Sequence, residues 1–284
     1  MSKLPRTLTP THIRRYLLHL REQERAPATI QKYAHDLGAL AAYLDGAPLT
    51  KTALIGWKEA LVAAHAPATV NSMLAAMNSF LAFMGWRELT VKPLKMQKNL
   101  FSDEGRELSR DEYARLVRAA GQQGNERLSL VIQTICATGI RVSELKSITA
   151  EAVQIGRAEI TNKGKRRVVF LPEKLRRVLK AYLKAQKKTA GAVFTTRTGR
   201  PLDRSNIWRD MKRLCESAGV EPGKVFPHNL RHLFARTYYT LEKDLSRLAD
   251  ILGHSSVATT RIYTAESGRV HARQVERMGL VLTT

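Results

Sequence analysis

Four stripes of apolar residues at helical spacing fill the first hundred residues of this 284-residue chain, and no alternating strand pattern interrupts them. Thr9-Pro10 reads as an N-cap followed by a first-turn proline, after which Ile13, Tyr16, Leu17 and Leu20 mark one face. Ile30, Tyr33, Leu37, Leu40 and Leu44 keep the period from Pro27 to Gly46; Leu54, Trp57 and Leu61 mark a third helix. Val70, Met73, Met77, Phe80 and Met84 mark a fourth, closing near Gly85. An apolar stripe must be covered by another, so the pattern predicts a four-helix bundle over residues 1–95.

Residues 92–108, KPLKMQKNLFSDEGREL, lose the period and gain charge, proline and glycine, which places a connecting segment at 96–108 and a second domain at 109–284. Ser109-Arg-Asp-Glu112 is a capping box, and the next helix, about 125–138, stops at Gly139. Between residues 152 and 171 the pattern changes to short β-prone runs, AVQI, RAEIT and RRVVFL, punctuated by Gly156 and by the turn Asn162-Lys-Gly-Lys165. These predict a small three-stranded antiparallel sheet. Helices follow from Pro172 to Lys188, from Asp203 to Gly219, and near 228–240, 244–252, 256–266 and 269–278. The expected fold is mostly α: a bundle, then a mainly helical domain around one small sheet.

Charge narrows the partner. The chain carries +22, and the 13 basic and 6 acidic side chains of its first hundred residues leave +7 there and +15 in the remainder. Such self-repulsion suits a polyanionic ligand, with nucleic acid ahead of an anionic membrane surface. Two basic lobes on a strap suit a clamp around double-stranded DNA. Cys136 and Cys215 lie in apolar-patterned helices and read as buried thiols of a reducing cytoplasm, with neither a disulfide nor a zinc site. No apolar leader opens the chain and no run reaches the length of a membrane span, so a cytoplasmic protein is expected.

Several phosphate-handling side chains fall at structurally defined points. Arg141 lies just past the Gly139 helix stop, and Lys163 and Lys165 flank the tip of the basic turn. His228 and Arg231, three apart after Pro227, share a helix face. His254 follows a capping glycine, and Tyr263 stands nine residues further on. His228 and His232 have metal-ligand spacing, but Asn, Leu and Arg between them supply no glutamate base, so no metal site is expected. In this order the residues resemble the tyrosine recombinase (phage integrase) family, through ATGIRVSELKSI, NKGKRRVVFLP, FPHNLRHLFA and LGHSSVATTRIYT, over about residues 109–270. The size is similar to the compact Xer-like branch.

The resemblance implies a site-specific DNA recombinase or integrase that works through a 3′-phosphotyrosine and a Holliday junction, without metal, ATP or other cofactor. Its catalytic set would be Arg141, Lys163, His228, Arg231, His254 and the nucleophile Tyr263, with Lys165 as the alternative general acid. Glu144 would orient Arg141, and His232 would be packing. Residues 1–95 would be a SAM-like core-binding domain, and the segment after Tyr263 a tail docking in cis or on a neighbouring subunit. The partners implied are double-stranded DNA and the chain itself, a monomer in solution and a tetramer on paired sites. A second recombinase or a DNA-bending accessory factor is compatible with this. A type IB topoisomerase and a DNA-binding protein without catalysis are the competing readings.

Overall fold

The computed structural model describes residues 6–96, 104–162, 164–261 and 276–278, and the chain divides into two compact units, 1–98 and 99–284. The first unit holds α1 (Pro10–Glu22), α2 (Pro27–Leu44), α3 (Lys51–Ala64) and α4 (Pro67–Phe83). Thr9 Oγ1 accepts from the His12 N–H at 3.2 Å, so the Thr-Pro start is a true cap. Tyr16, Leu37, Leu40, Leu54, Val70, Leu74, Met77 and Phe80 are buried together, one stripe from each helix. The chain leaves this bundle along α4. Asn78 pairs both ways with the backbone of Val91 (2.8 and 2.9 Å), and Asn71 does the same for Leu94 (2.9 and 2.7 Å). Two side-chain amides one heptad apart thus replace the missing strand partner of an extended segment.

The second unit runs α5 (Arg110–Gln122), α6 (Glu126–Thr138), a 3₁₀ turn (Val142–Ser147), α7 (Ala150–Ile155), β1 (Arg157–Asn162), β2 (Lys165–Phe170) and α8 (Glu173–Ala185). It continues through α9 (Arg204–Arg213), α10 (Cys215–Ala218), α11 (Pro227–Glu242), α12 (Leu245–Leu252) and α13 (Val257–Thr260). The Ser109 box is complete: Ser109 Oγ accepts from the Glu112 N–H at 3.1 Å and Glu112 Oε2 from the Ser109 N–H at 2.7 Å. Helix α6 is the axis of this unit, buried on every side through Leu130, Val131, Ile132, Thr134 and Ile135 and packed by α5, α8, α9 and α11. Its buried hydroxyls stay satisfied because Thr134 and Thr138 donate to the carbonyls of Leu130 (2.7 Å) and Thr134 (2.6 Å).

The sheet corrects one expectation. Among the described residues it has two strands, β1 and β2, antiparallel with Arg157 opposite Phe170 and Asn162 opposite Lys165. AVQI is the helix α7, not a strand. Thr149 caps it, accepting from the Ala152 N–H at 3.1 Å, Gly156 ends it in the left-handed region, and Ala150, Ala152 and Val153 are buried. A cap three residues upstream outweighs four residues of strand-like composition. Residues 104–108 are also ordered against the second unit. Leu108 is fully buried, Asn229 Nδ2 donates to the Arg106 carbonyl at 2.8 Å, and Glu107 pairs with Arg236.

Helix α6 ends at Gly139, whose φ of +64° continues into Ile140 and Arg141. A Cβ there would lie 2.7 Å from Phe234 Cε1 and 3.1 Å from Leu252 Cδ2. Gly139→Ala therefore combines left-handed strain with overpacking, and should lower stability by at least about 2 kcal/mol. Urea and thermal unfolding of the two proteins measure this; an unchanged midpoint would mean that α11 and α12 do not pack this turn as described.

Candidate active site

The backbone gathers this site at the ends of helices. Helix α12 closes on Gly253 (φ +66°), whose N–H bonds to the Asp250 carbonyl at 2.9 Å while the His254 N–H reaches back to Ala249 at 2.9 Å. This left-handed closure turns the carbonyls of the last turn outward and fixes where His254 leaves the helix. Three arginines bind those carbonyls. Arg167 Nε donates to Ile251 O at 3.1 Å and Arg231 Nη2 to Leu252 O at 2.7 Å; Arg141 donates to Leu252 O and Gly253 O, each at 3.5 Å. A helix C-terminus presents unpaired acceptors and partial negative charge, so it is a natural seat for guanidinium groups.

Arg231 is the most buried of them, 1% exposed, and Pro227 at the head of α11 fixes the turn that carries it. Its Nη1 donates to Gly139 O at 2.6 Å, which spans the ends of α6 and α12 with one side chain. Its Nη2 also lies 2.9 Å from His254 Nε2. A guanidinium only donates, so Nε2 accepts, the proton sits on Nδ1, and Nδ1–H donates to Thr260 Oγ1 at 2.8 Å. Arg141 opens the 3₁₀ turn, and its own backbone N–H donates to Glu144 Oε2 at 2.8 Å while its Nη1 reaches Oε1 at 3.0 Å. Arg167 forks onto the same carboxylate, Nη1 to Oε1 at 3.0 Å and Nη2 to Oε2 at 2.8 Å.

Charge in this cluster is uneven by construction. Burial alone would raise the Glu144 carboxyl, but the bonds from Arg167 and the Arg141 backbone, and the Arg167 charge, hold it at about 2. Burial first, then Arg231, Arg141 and Arg167, push His254 down to about 4. His228, open to solvent, is lowered by partial desolvation, then by Arg231 and Arg141. The His232 ring stands edge-on to it at 4.7 Å and is pushed to about 4, chiefly by burial. At neutral pH the three histidines are uncharged, and among the described residues the hydrogen bonds of this cluster join three guanidiniums to one carboxylate. Among the described residues this leaves a surplus of about two positive charges, an arrangement suited to an anion.

Of the side chains singled out in the sequence, Arg141, His228, Arg231 and His254 are thus brought together, with Glu144 beneath Arg141 and His232 behind His228. Lys163, Tyr263, and the tail from Arg269 apart from residues 276–278 lie outside the described residues, as does the side chain of Lys165. Arg167 was not anticipated. Its parity shows only once the hairpin register is known, where Ala158, Ile160 and Val169 are buried and Arg167 shares their face. Among the described residues no group of three His, Cys, Asp or Glu side chains could hold a metal ion, and no helix is long and apolar enough to cross a membrane.

The second unit matches the Phage integrase family over residues 106–269, and residues 13–88 match the phage integrase N-terminal SAM-like domain. The chain is 32% identical to Tyrosine recombinase XerD of Xanthomonas campestris pv. campestris, across 93% of this chain and 92% of that one. Its fold matches lambda integrase (75–356), a dimer bound to a COC′ core site, with a TM-score of 0.76 at 19% identity, covering 93% of this chain and 97% of the other. A lambda integrase tetramer bound to a Holliday junction matches with a TM-score of 0.75 at 18% identity, over 92% and 78% of the two chains.

The depressed histidines set a pH window. His232 and His254 stay neutral in the fold down to about 4, whereas in the unfolded chain they protonate near 6.5. Stability is therefore complete above the ordinary value and falls as pH drops through that window, by up to about 1.4 kcal/mol per pH unit for each group. Glu144 adds its own loss only below the usual carboxylate value of 4.5. Thermal melts across this range should show the decline, and His232→Asn should flatten it. Equal slopes for the two proteins would contradict the placement of His232.

Proposed function

The chain belongs to the phage integrase family and is a tyrosine site-specific recombinase, and from that premise we propose that Tyr263 cuts and rejoins DNA at a phosphate held by Arg141 and Arg231. The observation that carries this reading is the surplus of guanidinium charge around the end of α12. A phosphodiester bears one negative charge, and attack by a phenolate brings the pentavalent transition state toward two. A preorganised surplus of about two positive charges binds the second state more strongly than the first, and that difference lowers the barrier.

In the cleavage step the Tyr263 oxygen bonds to phosphorus as the bond from phosphorus to the 5′ oxygen breaks. The phenolic proton passes to His228, whose depressed pKa keeps an imidazole nitrogen available to accept it. Lys163, which follows β1 in the chain, gives a proton to the departing 5′ oxygen, with Lys165 as the alternative donor. His254 serves the phosphate as a further donor. In the free protein its Nε2 accepts from Arg231; once Arg231 turns to phosphate, the proton can move to Nε2, because Thr260 Oγ1 can donate to Nδ1 as well as accept from it. One phosphodiester is exchanged for another, so the 3′-phosphotyrosine can be attacked by a second strand with no energy source and no cofactor.

Lambda integrase is known as a dimer on a core site and a tetramer on a Holliday junction. By analogy this chain would bind duplex DNA through both basic units, as a monomer before synapsis and a tetramer on paired sites, in the cytoplasm. Residues 1–95 would be the core-binding domain and 109–284 the catalytic domain.

Covalent capture tests the reading. A nicked duplex carrying the site this chain selects from random DNA should trap wild-type protein as a 3′ adduct. Tyr263→Phe should bind the duplex with unchanged affinity and give none. An adduct formed by Tyr263→Phe would remove the tyrosine from the reaction.

A further inference from the structure

We propose that Arg167 is a positioning residue for strand cleavage, one that holds Glu144 so that Arg141 keeps its charge for the scissile phosphate; the inference rests on the recombinase reading above. Arg167 lies on the inward face of β2, opposite Ile160, with its side chain 12% exposed. A charged group takes an apolar position there because every arm of its fork has a target. Two arms meet the two oxygens of Glu144, and Nε meets Ile251 O on α12.

Both oxygens of Glu144 are shared. Oε1 accepts from the guanidinium of Arg167 and from that of Arg141; Oε2 accepts from Arg167 Nη2 and from the Arg141 backbone N–H. The carboxylate is therefore divided between two cations. Without Arg167, Glu144 could rotate both oxygens onto the Arg141 guanidinium. A bidentate pair of that kind would neutralise Arg141 and draw it away from a phosphate. Arg167 also fills the space under Gly253, where a Cβ would lie 2.9 Å from Arg167 Cδ. The same side chain thus sets the backbone on which His254 and the Arg141 contacts depend. A lysine cannot substitute, since one ammonium cannot fork onto two oxygens and a carbonyl.

The test uses the full chain with Arg167→Gln, Arg167→Lys, Glu144→Gln and the Arg167→Gln/Glu144→Gln double variant on the selected nicked duplex. Affinity for the duplex, thermal midpoint and rate of adduct formation are measured, the last on a normal scissile phosphate and on a methylphosphonate. Both Arg167 variants should bind like wild type and cleave about 10- to 100-fold more slowly, the range for removing a group that orients a site ligand. The deficit should shrink several-fold on the methylphosphonate, which has one charge fewer for Arg141 to meet. The double variant should be no slower than the slower single variant, because both changes act through one carboxylate. Equal deficits on the two substrates, additive losses in the double variant, or full activity in Arg167→Lys would overturn the proposal and leave Arg167 an ordinary structural ion pair. Wild-type protein that forms no adduct would overturn the recombinase reading instead.

Discussion

The carbonyl groups at the end of α12 organise the arginine cluster of the second unit. Gly253 takes the left-handed conformation that ends the helix, and the acceptors of Ile251, Leu252 and Gly253 are left facing one recess. Arginines from α11, from β2 and from the turn after α6 converge there, although they are far apart in sequence. Arg231 extends the arrangement to the end of α6 through Gly139, so the two helix ends are held by one guanidinium. Carbonyl dipoles offset the mutual repulsion of these cations without cancelling their charge, as a second or third carboxylate would.

That distinction separates a structural ion-pair network from an anion site. Glu144 is the one carboxylate hydrogen-bonded to these arginines among the described residues, and it is divided between Arg141 and Arg167. The imidazoles add no charge at neutral pH because burial and the same arginines depress them. Among the described residues the positive surplus is thus built into the fold, and the proposed electrostatic preorganisation rests on it. It also links function to stability, since acid charges the histidines and adds repulsion where repulsion is already greatest.

Much of this was legible in the sequence, for identifiable reasons. The helices of the bundle and the start of α5 carry apolar periods next to a side-chain cap (α1, α3, α5) or a first-turn proline (α2, α4), and local signals of that kind need no tertiary context. AVQI misled because four residues are too few to separate period 2 from period 3.6, and the deciding signal was the Thr149 cap outside the run. Nothing local in the sequence marks Asn71 and Asn78; their amides matter only because residues 91–94 return past α4. Arg141, His228, Arg231 and His254 could be picked out by order and spacing, and Glu144 by its distance from Arg141. Arg167 could not, since nothing in RRVVFL tells which of two adjacent arginines faces inward until the hairpin register is known. The acceptor state of His254 was equally hidden, being fixed by which nitrogen meets Arg231.

The most direct measurement of the central claim is the structure of the protein on a nicked duplex with vanadate standing in for the pentavalent phosphorus. Vanadium should be bonded to the Tyr263 oxygen, with its equatorial oxygens within hydrogen-bond reach of the Arg141 and Arg231 guanidiniums and Arg167 still forked onto Glu144. Vanadate seated away from the end of α12, or held there with Arg231 making no contact to it, would mean that this arginine cluster does not hold the scissile phosphate.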